Sequence, residues 1–228
     1  MTKKNAQREN TPAKLFDLKQ HSNWVVGSLL LLLLITLAAL VSSWLEFTVY
    51  DGRLAGQYTE QTFQALKTSS DARQGLIGLL QLLLMVISTG FLLNWTYRAN
   101  GNLHALHVKG LQFSPKWAMG WFIIPVLNLW KPYPVLKELW QASHGSPDWR
   151  WQPVSILIPV WWLLWLGFLG LTFGSIVFLL GTQDIIDERN ITLLTMITDS
   201  VSILLVSNII WFVRHITALQ KQQTLGAT

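Results

Sequence analysis

Four runs of apolar residues, at about 24–45, 76–97, 154–180 and 193–212, alternate with polar segments along the chain. Each holds roughly 20 residues, enough helix at 1.5 Å rise per residue to cross a hydrocarbon core of about 30 Å. Each therefore predicts a membrane-spanning α-helix. Trp24 and Trp44 stand at the two ends of the first run, and Trp95 and Tyr97 at the end of the second. Amphipathic rings favour the headgroup layer at such positions. A signal peptide competes for the first run, because Val41-Ser42-Ser43 suits cleavage. The run exceeds the roughly 7–15 apolar residues of a signal, which predicts an uncleaved anchor.

The polar segments predict the connections. Thr11 and Pro12, followed by Leu15, Phe16 and Leu18, predict a short surface helix with Thr11 as N-cap. Residues 46–75 read as a polar loop, with a turn at Asp51-Gly52 and at most one short helix around Tyr58, Phe63 and Leu66. Residues 181–192 read as a second, acidic hairpin loop.

Residues 113–143 fit neither pattern. They hold Pro115, Pro125, Pro132 and Pro134, with tryptophans beside lysines. The apolar part, Trp117 to Leu129, makes about 20 Å of helix, too short for one crossing and far too short for two. Pro125 removes a backbone donor and clashes with the preceding turn, while Gly120 loosens the other side. The segment is predicted to be a re-entrant dip, an in-plane segment or a buried half-helix packed on protein, because irregular backbone at membrane depth needs such cover. Lys131-Pro132-Tyr133-Pro134 predicts an extended turn. Val135, Leu136, Leu139 and Trp140 then recur at helical spacing, with Lys137, Glu138 and Gln141 facing away, which predicts a short amphipathic helix in the interface. Trp130, Trp140, Trp149 and Trp151 suit an interfacial belt.

Charge sets the orientation. Only 13% of the 228 residues are charged, about half the usual share of a soluble domain, and the net charge is +5. The N-terminal tail (1–23), the segment 98–116 and the C-terminal tail (213–228) are basic, and the loops between them carry the acids. Basic segments prefer the cytoplasm, so four spans with both termini cytoplasmic satisfy every segment. The absence of cysteine excludes disulfides and thiolate chemistry. The fold class is all-α integral membrane: a single membrane domain over 24–212, four transmembrane helices, the Pro/Trp-rich re-entrant or interfacial segment and the short amphipathic helix.

The run SPKWAMGWFIIPVLNLWKPYPVLKELWQAS, preceded by YRANGNLHAL and followed by PVWWLLWL, resembles the bacterial membrane family catalogued as domain of unknown function 4328. The resemblance is close over Tyr97–Trp165 and looser over Trp24–Gln222. The matching positions are Pro115, Trp117, Gly120, Trp121, Pro125, Asn128, Leu129, Trp130, Pro132, Tyr133, Glu138, Leu139, Trp140, Ala142 and Ser143, with Arg98, Asn100 and Ala105 before them. The resemblance implies a multi-span bacterial membrane protein, and the expected location is the cytoplasmic (inner) membrane. It implies no activity.

Candidate chemistry is sparse. His104 and His107, three apart, have metal-ligand spacing on a helix, but a site needs further ligands, so no metal and no cofactor is expected. Asp199 is the one carboxylate inside a predicted span, about 9 Å from its outer end, and is the candidate for an ion path. Gln81, Asn94, Asn128, Asn208, Ser200, Ser202 and Ser207 are expected to bond between helices. Lys109, Lys116, Lys131, Lys137 and Arg150 are candidates for contact with anionic lipid or a partner protein, each worth about 1 kcal/mol near anionic headgroups. No phosphate loop or stacking platform is present, so nucleic acid is not an expected partner. The leading expectation is a non-enzymatic module engaging a partner protein or anionic lipid at the cytoplasmic face. A small transporter or channel built on 117–129, alone or as a homo-oligomer, is the alternative, and an intramembrane enzyme comes third.

Overall fold

The computed structural model describes residues 15–181 and 184–226. Thr11 and Pro12, read above as a helix start, lie outside the described residues. The described residues are helical throughout their regular elements: α1 Leu18–Leu54, α2 Glu60–Ala105, α3 Pro115–Gly120, α4 Pro132–Ala142, α5 Leu157–Gly181 and α6 Ile185–Gly226, with single 3₁₀ turns at Leu127–Leu129 and Trp149–Trp151. α1, α2, α5 and α6 are each long and apolar enough to cross a membrane.

The long helices correct the expected connections. The segment 46–75 is not a loop: α1 runs to Leu54 and α2 starts at Glu60. Gly56 (φ 74°) ends the first, and the Thr59 hydroxyl caps the second by accepting from the Thr62 N–H at 3.2 Å. Asp51 and Gly52 are helical rather than a turn. The Tyr58 ring packs over Gly52, where a Cβ would stand 2.5 Å from it, so a larger residue would displace that ring. Nor is the acidic hairpin 181–192 mostly loop. α6 begins at Ile185, with the Asp184 carboxylate accepting from the Asp187 N–H at 2.9 Å and Asp187 and Glu188 in its first turn, where acids suit the helix dipole. α1 begins six residues before the expected span, after Asp17, whose carboxylate accepts from the Lys19 N–H. A hydropathy window stops at the first cluster of charge. The backbone continues because those charges pair with one another.

The described residues fall into two compact units. One, the four-helix unit, comprises Asn23–Phe91 and Ser155–Val213. Val25, Leu29, Leu32, Ala39, Ile158, Trp161, Val206 and Ile209 form its apolar interior. Its outer faces carry exposed leucine, valine and isoleucine, most fully on α5. That inversion is expected of helices solvated by lipid, where packing rather than water exclusion drives association. Trp161 and Trp165, set deep in the expected span, stack nearly parallel with ring centroids 6.5 Å apart.

The other, the small unit, is built from residues 15–22, 92–154 and 214–226. It has an ordinary core of Trp95, Ala99, Leu103, Val135, Leu139, Trp140, Trp149 and Ile216. Burying each large apolar side chain from water contributes roughly 1.5–3 kcal/mol. α4 is therefore a core helix. Glu138 and Gln141, expected to face away, are buried, as are Trp140 and Trp149, expected in an interfacial belt. The belt reading survives for Trp130 and Trp151 only in that both are exposed, Trp151 at 89%. The helix also starts two residues earlier than expected. Lys131 is already α-helical (φ −68°, ψ −34°), and Pro132 and Pro134 occupy the first turn, where the missing N–H groups would have had no helical partner.

Candidate functional site

Two polar constellations stand out, one in each unit. In the small unit, the Pro/Trp-rich motif of the sequence resolves into struts. Glu138, 4% exposed, accepts from the backbone N–H groups of Gln112 (2.6 Å) and Phe113 (3.1 Å). It thereby ties α4 to the loop before α3. Burial pushes its carboxyl above the ordinary value of 4.5, against the lowering effect of those two N–H donors and of nearby His104 and Arg150. Gln141 donates to the carbonyls of Arg150 and Gln152, and the Trp149 indole to the carbonyl of Lys109. At the centre, Gln220 of α6 donates to Ala99 O and Ser143 Oγ, both at 3.0 Å, and accepts from Asn102, whose amide also pairs with the backbone of Phe16. Ser143 is thus a junction residue. Asn100 is 1% exposed, and both of its amide atoms lack a hydrogen-bond partner among the described residues. Ordered water commonly satisfies such groups.

The segment Trp117–Leu129 is broken as expected, into α3, consecutive turns and the 3₁₀ turn. Ser114 is extended before Pro115, and α3 ends at Gly120. Trp117 stacks on Trp121 at 4.7 Å, and the Lys131 ammonium sits 5.2 Å from the Trp121 ring centroid. Trp117, Ile123, Val126, Leu129 and Trp130 remain exposed. Of the basic candidates, Lys109, Lys116 and Arg150 are exposed, while Lys131 and Lys137 are partly covered. Arg150 is already engaged, donating to Gly110 O at 2.6 Å and lying over Trp149.

The histidines do not form a metal pair. α2 ends at Ala105, and His107 takes a left-handed conformation (φ 54°) beyond it, so His104 and His107 share no helical face. His104 Nε2 is within 3.0 Å of Phe113 O. No group of three metal-ligating side chains occurs among the described residues.

In the four-helix unit, α2 carries a polar residue every seventh position on its inward side: Lys67, Gln74, Gln81 and Ser88. Lys67 pairs with Glu188 of α6. Gln74 donates to Ser43 Oγ and Glu46 Oε2 of α1, and Gln81 donates to Asp199 Oδ1 of α6 at 3.2 Å. The Ser88 hydroxyl is buried without a partner among the described residues. Arg73 adds bonds to Ser42 and Ser70, and Arg189 pairs with Asp51 at 2.5 Å. Asp199 lies 14 residues into α6, about 21 Å from the helix start, and is 8% exposed. Asn208 bonds across to Leu157 O as expected of an interhelical amide. Ser200 and Ser207 instead bond to carbonyls of their own helix, and Asn94 accepts from Arg98 on its own helix. The ladder was missed because its seven-residue spacing was obscured by reading residues 46–75 as loop.

No curated protein and no solved structure matches the chain. A family model matches residues 58–218, which include both α2 with its ladder and the Pro/Trp-rich motif: the chain belongs to the family described as Domain of unknown function (DUF4328).

Proposed function

We propose that this multi-pass protein is a non-enzymatic module of the bacterial inner membrane. In this reading the Trp117–Trp130 segment engages the anionic headgroup layer at the cytoplasmic face. The observation that carries it is the pairing of exposed apolar side chains (Trp117, Ile123, Val126, Trp130) with Lys116 and Lys131 in one short broken segment. Apolar groups seek the acyl boundary, tryptophan favours the headgroup level, and lysine adds attraction to anionic lipid. The buried Glu138 carboxylate, bonded to the N–H groups of Gln112 and Phe113, fixes the chain just before this segment.

The test is a single cysteine at Val126 carrying an environment-sensitive fluorophore, in nanodiscs of phosphatidylglycerol or phosphatidylcholine. The reading expects an apolar environment for the probe in phosphatidylglycerol, weakened by salt and by Lys116→Gln with Lys131→Gln. A probe equally exposed to water in both lipids overturns it. A probe that becomes buried only in a purified complex, independent of lipid charge, would assign the surface to a protein partner instead.

A further inference from the structure

We propose that Asp199 is a membrane-embedded, reversible proton-binding site of the four-helix unit, with Gln81 as its fixed hydrogen-bond donor. Its setting is a charge-free band. Within this unit, α1 carries no charged residue from Asn23 to Leu45, α2 none from Gln74 to Phe91, α5 none at all, and α6 none but Asp199 from Asn190 to Val213. The charged groups nearest in sequence on the surrounding helices lie toward one end: Glu46, Asp51 and Arg53 on α1, Glu60, Lys67, Asp71 and Arg73 on α2, and Asp187, Glu188 and Arg189 on α6. Along α6 the nearest of these, Arg189, is ten residues away, about 15 Å. The ion pairs in the unit join Arg53 with Glu60, Lys67 with Glu188 and Arg189 with Asp51, and Arg73 bonds to Ser42 and Ser70. Among the described residues no cation pairs with Asp199.

Gln81 satisfies Oδ1, whereas Oδ2 is buried and has no partner among the described residues. An unpaired carboxylate in such surroundings is strongly disfavoured, and the group neutralises instead. A metal ion would need several oxygen or nitrogen ligands, and no group of three titratable ligands surrounds it among the described residues. A proton on Oδ2 needs none. The one amide donor to Oδ1 is the geometry of a carboxylic acid with its carbonyl oxygen bonded and its O–H oriented away. The closest titratable step along the ladder is Glu46, which Gln74 holds one seven-residue repeat from Gln81. Proton exchange is therefore expected from the charged end of this unit.

A lipid-soluble carbodiimide reports this directly, because it requires the protonated acid and reaches carboxyls within the bilayer. The intact protein in nanodiscs is labelled across a pH series, and adducts are located by peptide mass spectrometry. The expected result is an adduct at Asp199 at neutral pH, declining as pH rises, unchanged by sodium at constant pH and absent from Asp199→Asn. Gln81→Leu should move the decline to higher pH, because the donor that also stabilises the ionised form is gone. No adduct at Asp199 at any pH, beside labelling of other carboxyls, overturns the proposal. Suppression by sodium at fixed pH also overturns it, in favour of a metal-cation site.

Discussion

Glu138 joins more of the small unit than any other single acid, and its behaviour follows from two opposed effects. Burial disfavours the charge, and two backbone N–H donors favour it, with burial the larger. Its folded value therefore lies above the unfolded one, near 4.5. The sign is that of a raised acid: its stabilising contribution is complete below about 4.5 and is lost as pH rises through the folded value. Thermal unfolding of the solubilised protein should show this as a falling stability across that window. Glu138→Gln should flatten that part of the profile. It should also cost roughly 1–3 kcal/mol at low pH as well as high, because an amide cannot accept from both Gln112 and Phe113 with equal geometry. Parallel profiles for the two proteins would refute the assignment. At this scale the pattern of polar and apolar residues is a poor guide. Glu138 and Gln141 looked like the outer face of an amphipathic helix, because polarity alone does not distinguish a solvated side chain from one whose partners are backbone groups far along the chain.

The elements were legible in their apolar middles and illegible at their ends. Four spans are evident from hydropathy, and the broken central segment from Gly120 and Pro125. Apart from the short helix expected around Phe63 and Leu66, the helical turns beyond the apolar window are hidden, because charges paired across helices look the same in sequence as charges in a loop. Lys67 with Glu188, and Asp51 with Arg189, are separated by more than a hundred residues. The end of α2 shows the local counterpart. His107 holds a left-handed conformation that glycine adopts at no steric cost, while the Val108 N–H reaches back to Leu103 O. His107→Gly should therefore stabilise the protein by about 1 kcal/mol in unfolding measurements. Destabilisation would show that the imidazole makes a contribution larger than its backbone strain, and would reopen the histidine pair as a functional feature.

At the scale of the whole molecule, the chain needs more length than a bilayer accounts for. At 1.5 Å per residue α1, α2 and α6 run about 55, 69 and 63 Å, against a hydrocarbon core of about 30 Å, whereas α5 runs about 38 Å. The charged turns at 60–73 and 185–189 belong to the four-helix unit, and the turns after Leu92 and Arg214 to the small unit with its water-type core. The proposed function expects the small unit on the cytoplasmic side, because the segments around its sequence carry the basic bias. The absence of native cysteine makes that orientation testable with single substitutions at exposed positions. Cysteine at Gln57, in the connection between α1 and α2, should react with an impermeant maleimide only from the periplasmic side. Cysteine at Lys109 should react only in inverted vesicles. Reversal of both would invert the protein and remove the cytoplasmic lipid surface from the proposed function, while leaving Asp199 in its charge-free band. A cysteine at Ile124 then divides the remaining readings. Reactivity from the cytoplasmic side means that water reaches the broken segment, as a transport path requires. Protection there, beside a reactive Lys109 position, means that the segment is seated in lipid or protein, as an anchoring surface requires.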